Sequence, residues 1–402
     1  MTNKQIFNQD ISNINSYLFM LFGFTLALSV SIPSIIFAVM LLLWLYEGNF
    51  SKKLETIKKN PITYAFLAYF LIHIIALLWT SDFAWGLHII KKQWKILAFL
   101  FFITIVKQRH IKHYIIAFLL SMSLLEILSY GIWFKIIKPF QVGTVDNPIP
   151  FTGHISYNPL LAFAAYLLAY FLLFTDNKSL FQRAISLIFL TTITVNMFIT
   201  GGRSGQVGYF VMVAILTIQY FKKDVFKIFL TLAVLMPTIF FMAYSYSPLF
   251  NQRVNLAIQD AKHYKENPNT SVGLRLTFLF NSLDIIKENP IIGVGTGDFP
   301  KEYEKMNAKN TPKAWPITQP HNMYILVLVQ TGIIGLITLL TIFYMQIKSS
   351  FIKTKYFQIK FALPLFFLVI MLGESYLLIH QTTLLFTYFS SFLYKDYESE
   401  CT

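Results

Sequence analysis

Apolar runs long enough to cross a bilayer recur along this chain, and one long polar stretch, 248–321, interrupts them. A helix rises ~1.5 Å per residue, so about 20 mostly apolar residues cover the ~30 Å hydrocarbon core. By that measure about twelve spans are predicted, near 16–31, 33–46, 62–80, 94–106, 114–134, 155–174, 184–200, 205–221, 226–246, 322–347, 359–373 and 376–394. The second and fourth are short, and Ile32-Pro33 between the first two predicts a tight helical hairpin. With 55% hydrophobic and 13% charged residues, the expected fold is an all-α polytopic membrane protein. It is read as a single integral membrane domain over 1–402, with 248–321 as a large, partly helical loop within it.

The net charge of +14 is spread between the apolar runs rather than gathered on a soluble patch. It therefore reads as topology signals and contacts with anionic membrane lipids, not as a nucleic-acid surface. With the N-terminus inside, the inner loops collect Lys52, Lys53, Lys58, Lys59, Lys107, Arg109, Lys112, Lys178, Arg183, Lys222, Lys223, Lys227, Lys348, Lys353, Lys355 and Lys360. The short outer loops hold Lys91, Lys92, Lys95, Lys135, Lys138 and Arg203. Long translocated loops do not count in this rule, and the asymmetry of roughly sixteen to six puts 248–321 outside. Cys401, the only cysteine, then lies inside and excludes an intrachain disulfide or a cysteine-based metal cluster. No short apolar segment with a small-residue cleavage site opens the chain, so the first run is expected to be a retained helix.

The polar stretch opens at Ser247-Pro248 and carries Arg253, Arg275 and a polar run at 262–269. Leu276, Leu279, Phe280, Leu283 and Ile286 predict a helix over 274–288, which Asn289-Pro290 should stop. Gly293, Gly295 and Gly297 follow, but no strand–turn–helix unit surrounds them, so a nucleotide-binding reading is rejected. At the close of the stretch, Pro320-His321-Asn322 meets the apolar run 323–347. Asn322 can cap that helix while His321 points out of the membrane. The positive end of a helix disfavours an imidazolium, which would leave the ring able to take a proton.

Arg203 sits in Thr200-Gly201-Gly202-Arg203-Ser204-Gly205, a tight turn between two spans on the outer side. Alone it reads equally as an anchor to lipid phosphate, and Arg275 alone reads as a solvated residue. The flanking glycines allow close backbone approach, and a helix opening at Ser204 or Gly205 would aim its amides outward, a cradle for phosphate. The outer loop 135–154 is expected to be irregular and to cover part of a site. His73, Glu126, Glu374 and His380 are ionisable residues in apolar runs, and Glu374 is placed to neutralise an arginine or to form a structural ion pair. No Walker motif, HExxH or acidic pair with metal-ligand spacing occurs.

The segments Gly-Gly-Arg203-Ser-Gly, Gly273-Leu-Arg275, Asn289-Pro-Ile-Ile-Gly-Val-Gly-Thr-Gly-Asp-Phe299, Pro320-His321-Asn322-Met-Tyr-Ile and Gly332-Ile-Ile-Gly335 together resemble the O-antigen ligase/O-antigen polymerase superfamily, over about 195–340. The resemblance implies a GT-C-like arrangement with a periplasmic loop above a helical membrane domain, in the bacterial inner membrane. It implies a ligase that moves a glycan from an undecaprenyl-diphosphate carrier to a sugar hydroxyl of lipid A–core, with no cofactor and no metal. Arg203 and Arg275 would bind the diphosphate, with Ser204 and Gly205 beside them. His321 would activate the acceptor, supported by Asn322 and Glu374. A repeat-unit polymerase and a protein-glycosylating oligosaccharyltransferase share the carrier chemistry. A secondary transporter, the non-enzyme reading, would show paired broken helices at the midplane.

Overall fold

A computed structural model describes residues 3–176, 179–263, 267–352 and 354–397. Lys178, Lys353 and Cys401, used above for orientation, lie outside them. Among the described residues the chain is all helix and turn, with no strand. The helices are α1 Asn3–Thr25, α2 Ser31–Glu47, α3 Phe50–Lys59, α4 Pro61–Ile75, α5 Phe83–Gln93, α6 Ala98–Ile105, α7 Ile111–Trp133, α8 His154–Phe174, α9 Leu180–Ile199, α10 Arg203–Phe221, α11 Val225–Tyr246, α12 Pro248–Lys262, α13 Ser271–Glu288, α14 Phe299–Asn310, α15 Met323–Ser350, α16 Phe357–Ile370 and α17 His380–Tyr394.

Every one of the twelve expected runs falls on a helix. Among the described residues, seven segments are long and apolar enough to cross a membrane by length and composition, or eight if α2 and α3, bent by 116°, count as one span. The remaining runs miss that test for physical reasons. α6 has 8 residues, α16 has 14 and α17 has 15, while the first half of α1 is polar. α17 does not need lipid-spanning length to be held, because Gln381 through Tyr394 are all buried by neighbouring helices. The hairpin between the first two runs turns just before α2, with Pro33 inside the first turn of α2 where a missing N–H costs nothing.

Helices surrounded by lipid gain little from burying apolar surface on one another, so close packing and internal hydrogen bonds hold them together. α8, buried from Ser156 to Tyr170, and α17 form the centre. Phe389 of α17 meets Phe118 and Phe163 edge-on at 5.4 and 4.9 Å between ring centres.

The glycine-rich run after α13 is a structural patch. α15 breaks at Gly332, whose φ of 62° lies in the left-handed region. A helix break leaves N–H and C=O groups without partners, costly wherever water is absent. Here the N–H groups of Val294 and Gly295 donate to the Val329 and Gln330 carbonyls at 2.8 and 3.0 Å, and the Ile333 N–H donates to Pro290 O at 2.9 Å. A Cβ at Gly332 would lie 2.2 Å from Ile291 O. The far end of the run is pinned by Asp298, whose carboxylate accepts from Thr80 Oγ1, Ser81 N–H and Asp82 N–H at 2.7–2.8 Å. The polar stretch is thereby tied to α15 and to the segment between α4 and α5, and sits at one end of the bundle.

Candidate anion-binding pocket at the mouth of the membrane domain

The turn between α9 and α10 sets the first arginine. α9 stops at Ile199 because Gly201 and Gly202 follow, and the carbonyls freed there are taken up by side chains. Gln206 Nε2 donates to Met197 O and Thr200 O at 3.2 and 3.0 Å, and Asn158 Nδ2 donates to Thr200 Oγ1 at 2.9 Å. Asn147, from the irregular outer loop, accepts from the Gly201 N–H at 2.9 Å, so that loop does close over the turn. Gly205 is a packing residue. A Cβ there would stand 2.4 Å from that of Asn158, so only glycine lets α8 and α10 approach this closely. It does not line the pocket, whereas Gly201, Gly202 and Ser204 do.

The second arginine arrives on α13. Thr270 caps that helix, accepting from Gly273 N–H at 3.1 Å, and Asp260 accepts from Val272 N–H at 3.3 Å. Ser271, Arg275 and Phe278 are spaced by four and three residues and therefore share a face. Ser271 Oγ accepts from Arg203 Nη1 at 3.2 Å, and Phe278 stacks on His321 with ring centres 6.1 Å apart.

His321 is held from two sides. Its φ of 50° is a left-handed conformation that a non-glycine residue adopts only under constraint. Asn322 supplies that constraint, accepting from the N–H groups of Tyr324 and Ile325 at 3.0 and 3.1 Å while donating to Leu372 O at 3.1 Å. The Met323 N–H donates to Met371 O at 2.9 Å. The start of α15 is thus stitched to the segment after α16, which brings Glu374 within 2.7 Å of His321 Nδ1. Glu374 is buried, and its other oxygen accepts from Ser375 N–H at 2.9 Å. A proton on His321 Nδ1 would be held by that carboxylate, and Nε2 would then carry the free lone pair. Asn322 itself stands outside the pocket and acts as a cap.

Arg203, Ser204, Arg275, His321 and Glu374 line one cavity of about 100 Å³. The same cavity gathers Arg253, His154 and Tyr376, which the sequence did not place there. Arg253 rides on α12, and its carbonyl accepts from Arg203 Nη2 at 3.3 Å. The Ser247-Pro248 pair before it is a helix-start signal that would have predicted α12. His154 opens α8 behind Gly153, a glycine-helix start with no polar cap to mark it. His73, Glu126 and His380 are not in this cavity. His73 is a buried α4 residue whose Nδ1 bonds Tyr69 O at 2.8 Å, a structural role.

The electrostatics favour an anion. Three guanidinium groups face one carboxylate, and that carboxylate is already engaged by His321. Arg203 Nε is buried with no acceptor among the described residues, a donor that a bound oxyanion would satisfy. α8 and α10 both open at the cavity, and neither start carries a side-chain cap, so their N–H groups add positive potential. Below the cavity, α8 to α11 enclose an apolar groove of about 650 Å³, reaching up to Ile199 and Ser247 at the level of the α9–α10 turn.

Fold and cavity together define a multi-pass membrane protein with an arginine-lined cavity, suited to an oxyanion, at one end of its bundle. Residues 185–340 match the family described as O-antigen ligase, which supports the O-antigen ligase/polymerase superfamily already resembled in the motifs. That class comprises glycosyltransferase-like enzymes of lipid-linked glycans. A Haemophilus influenzae strain Rd protein described as uncharacterized is 26% identical over 306 residues, 74% of each chain.

Proposed function

We propose that this protein is an O-antigen ligase, transferring a glycan from undecaprenyl diphosphate to a sugar hydroxyl of lipid A–core at the periplasmic face of the bacterial inner membrane. The observation that carries the reading is the convergence of Arg203, Arg253 and Arg275 with the His321–Glu374 pair in one cavity at the top of an apolar groove. A polyprenyl diphosphate has that division of character: a tail that belongs in lipid and a diphosphate that must lie at the headgroup plane. Guanidinium forks match phosphate oxygens and stabilise the charge that grows on a departing diphosphate.

In the step itself the acceptor oxygen forms a bond to the anomeric carbon as the bond from that carbon to the diphosphate oxygen breaks. The electron pair leaves with undecaprenyl diphosphate, and the acceptor proton passes to His321 Nε2. Glu374 steadies the resulting imidazolium, as the buried carboxylate of a Ser-His-Asp triad does. A single displacement inverts the anomeric centre, and the arginines neutralise the leaving group without a metal ion. The excess of inner-loop lysine and arginine supports the periplasmic placement of the site and a cytoplasmic C-terminus.

Gene deletion separates this reading from its nearest rival. A strain lacking the protein is expected to carry bare lipid A–core while polymerised glycan accumulates on undecaprenyl diphosphate. Single repeat units on the core with long chains missing would instead identify a polymerase.

A further inference from the structure

A second cavity, of about 520 Å³, lies at the opposite end of the bundle. α7 begins there and ends near the outer loop, α16 begins there and runs up toward Glu374, and α17 descends to end there. Its lining carries Arg109, Lys112, Lys355, Lys360 and Lys395, together with His113, and, among the described residues, no carboxylate. Ile111, Phe392 and Leu393 make part of its wall apolar.

Surface lysines at a membrane boundary would be ordinary topology signals, but Lys360 is not on the surface. It is 6% exposed, and its ammonium makes no hydrogen bond or ion pair with any described residue. What it has is the face of Tyr394, 5.7 Å from Nζ to ring centre. A cation–π contact offsets only part of the cost of removing an ammonium from water. Other cations at the site are already engaged. Arg109 Nη2 donates to Asn13 Oδ1 at 2.6 Å and Lys395 Nζ to Val106 O at 2.9 Å, so neither is counted as free. Lys112 and Lys355 are exposed at the rim. A largely buried lysine whose ammonium meets no carboxylate among the described residues, in a cavity lined by further cations, favours an anion, and the mixed wall suits one attached to an apolar body.

We propose that this cavity is a phosphate site, the phosphate being the headgroup of an anionic phospholipid. Basic pockets between membrane helices suit such headgroups, and the end of the bundle places this one at headgroup depth. A free inorganic phosphate shares the chemistry and is distinguished by experiment.

The test uses the full-length protein, stripped of lipid in neutral detergent, titrated by native mass spectrometry with phosphatidylglycerol, phosphatidylcholine and inorganic phosphate. Phosphatidylglycerol is expected to bind more tightly than phosphatidylcholine. Lys360→Gln should weaken its apparent Kd roughly tenfold or more, the loss of one charge-assisted contact. The rim double variant Lys112→Gln/Lys355→Gln, at exposed positions that do not endanger folding, should weaken it in the same direction. Inorganic phosphate binding as tightly as the lipid, with the same dependence on these lysines, would keep the phosphate site and assign it to a soluble ligand. Failure of both to bind, or binding untouched by both variants, would overturn the proposal.

Discussion

His321 and Glu374 are 53 residues apart in the chain and 2.7 Å apart in space. The separation of roles between Nδ1, tied to the carboxylate, and Nε2, free to take a proton, implies a specific pattern of loss. His321→Ala should leave donor binding nearly unchanged and reduce transfer by about 10²–10⁴-fold, the usual worth of a general base. Arg203→Ala and Arg253→Ala should each weaken donor binding by about 10–100-fold, and Arg203→Lys should recover only part, since it keeps the charge and loses the fork. A donor-binding assay run beside a transfer assay checks both. Wild-type transfer in Arg203→Ala would make that residue a lipid anchor. Arg203, His321 and Glu374 stood out in the sequence because each sits beside a glycine or proline that punctuates a membrane run, and Arg275 because it opens the predicted helix of the polar stretch. Arg253, His154 and Tyr376 did not, because each reaches the cavity only through tertiary packing, of α12, of the start of α8 and of the turn after α16, which leaves no local signal of the site.

At the scale of elements, the run from Gly293 to Asp298 acts as a brace for the broken α15, and its replacement should cost stability. Asp298→Ala removes an acceptor from three donors and should destabilise by about 1–3 kcal/mol. Gly332→Val meets both a left-handed backbone and the Ile291 carbonyl, so a larger loss is expected. Both are read as a fall in the thermal unfolding midpoint in detergent, and a midpoint equal to wild type in Gly332→Val would show that the break tolerates a side chain. The spans themselves were legible, since a run of membrane length must satisfy its backbone internally and so becomes a helix. The brace was not. Glycines at 293, 295 and 297 announced turns, but their partners lie at Val329 and Gln330, and nothing local encodes that pairing. α14 escaped the reading for a related reason, being a polar helix whose buried face is defined by the loop it packs into, whereas α12 carried a start signal at Ser247-Pro248 that went unused.

For the whole molecule, the arrangement places the arginine-lined candidate pocket above an apolar groove at one end and a basic cavity at the other, with α16 and α17 running between the two ends. In the proposed reaction, a polar loop over the membrane end would keep the charged step at the headgroup plane while the lipid part of the donor stays in the bilayer. The central claim is that this pocket transfers a glycan from a polyprenyl diphosphate with His321 as base. The most direct measurement is transfer by the purified protein in liposomes, with undecaprenyl-diphosphate-linked glycan as donor and lipid A–core as acceptor, for wild type and His321→Ala with a chelator present. The expected result is one undecaprenyl diphosphate released per glycan transferred, an inverted anomeric linkage, no effect of the chelator, and transfer lost in His321→Ala. Transfer at the wild-type rate by His321→Ala, or a product that retains the donor's anomeric configuration, would contradict it.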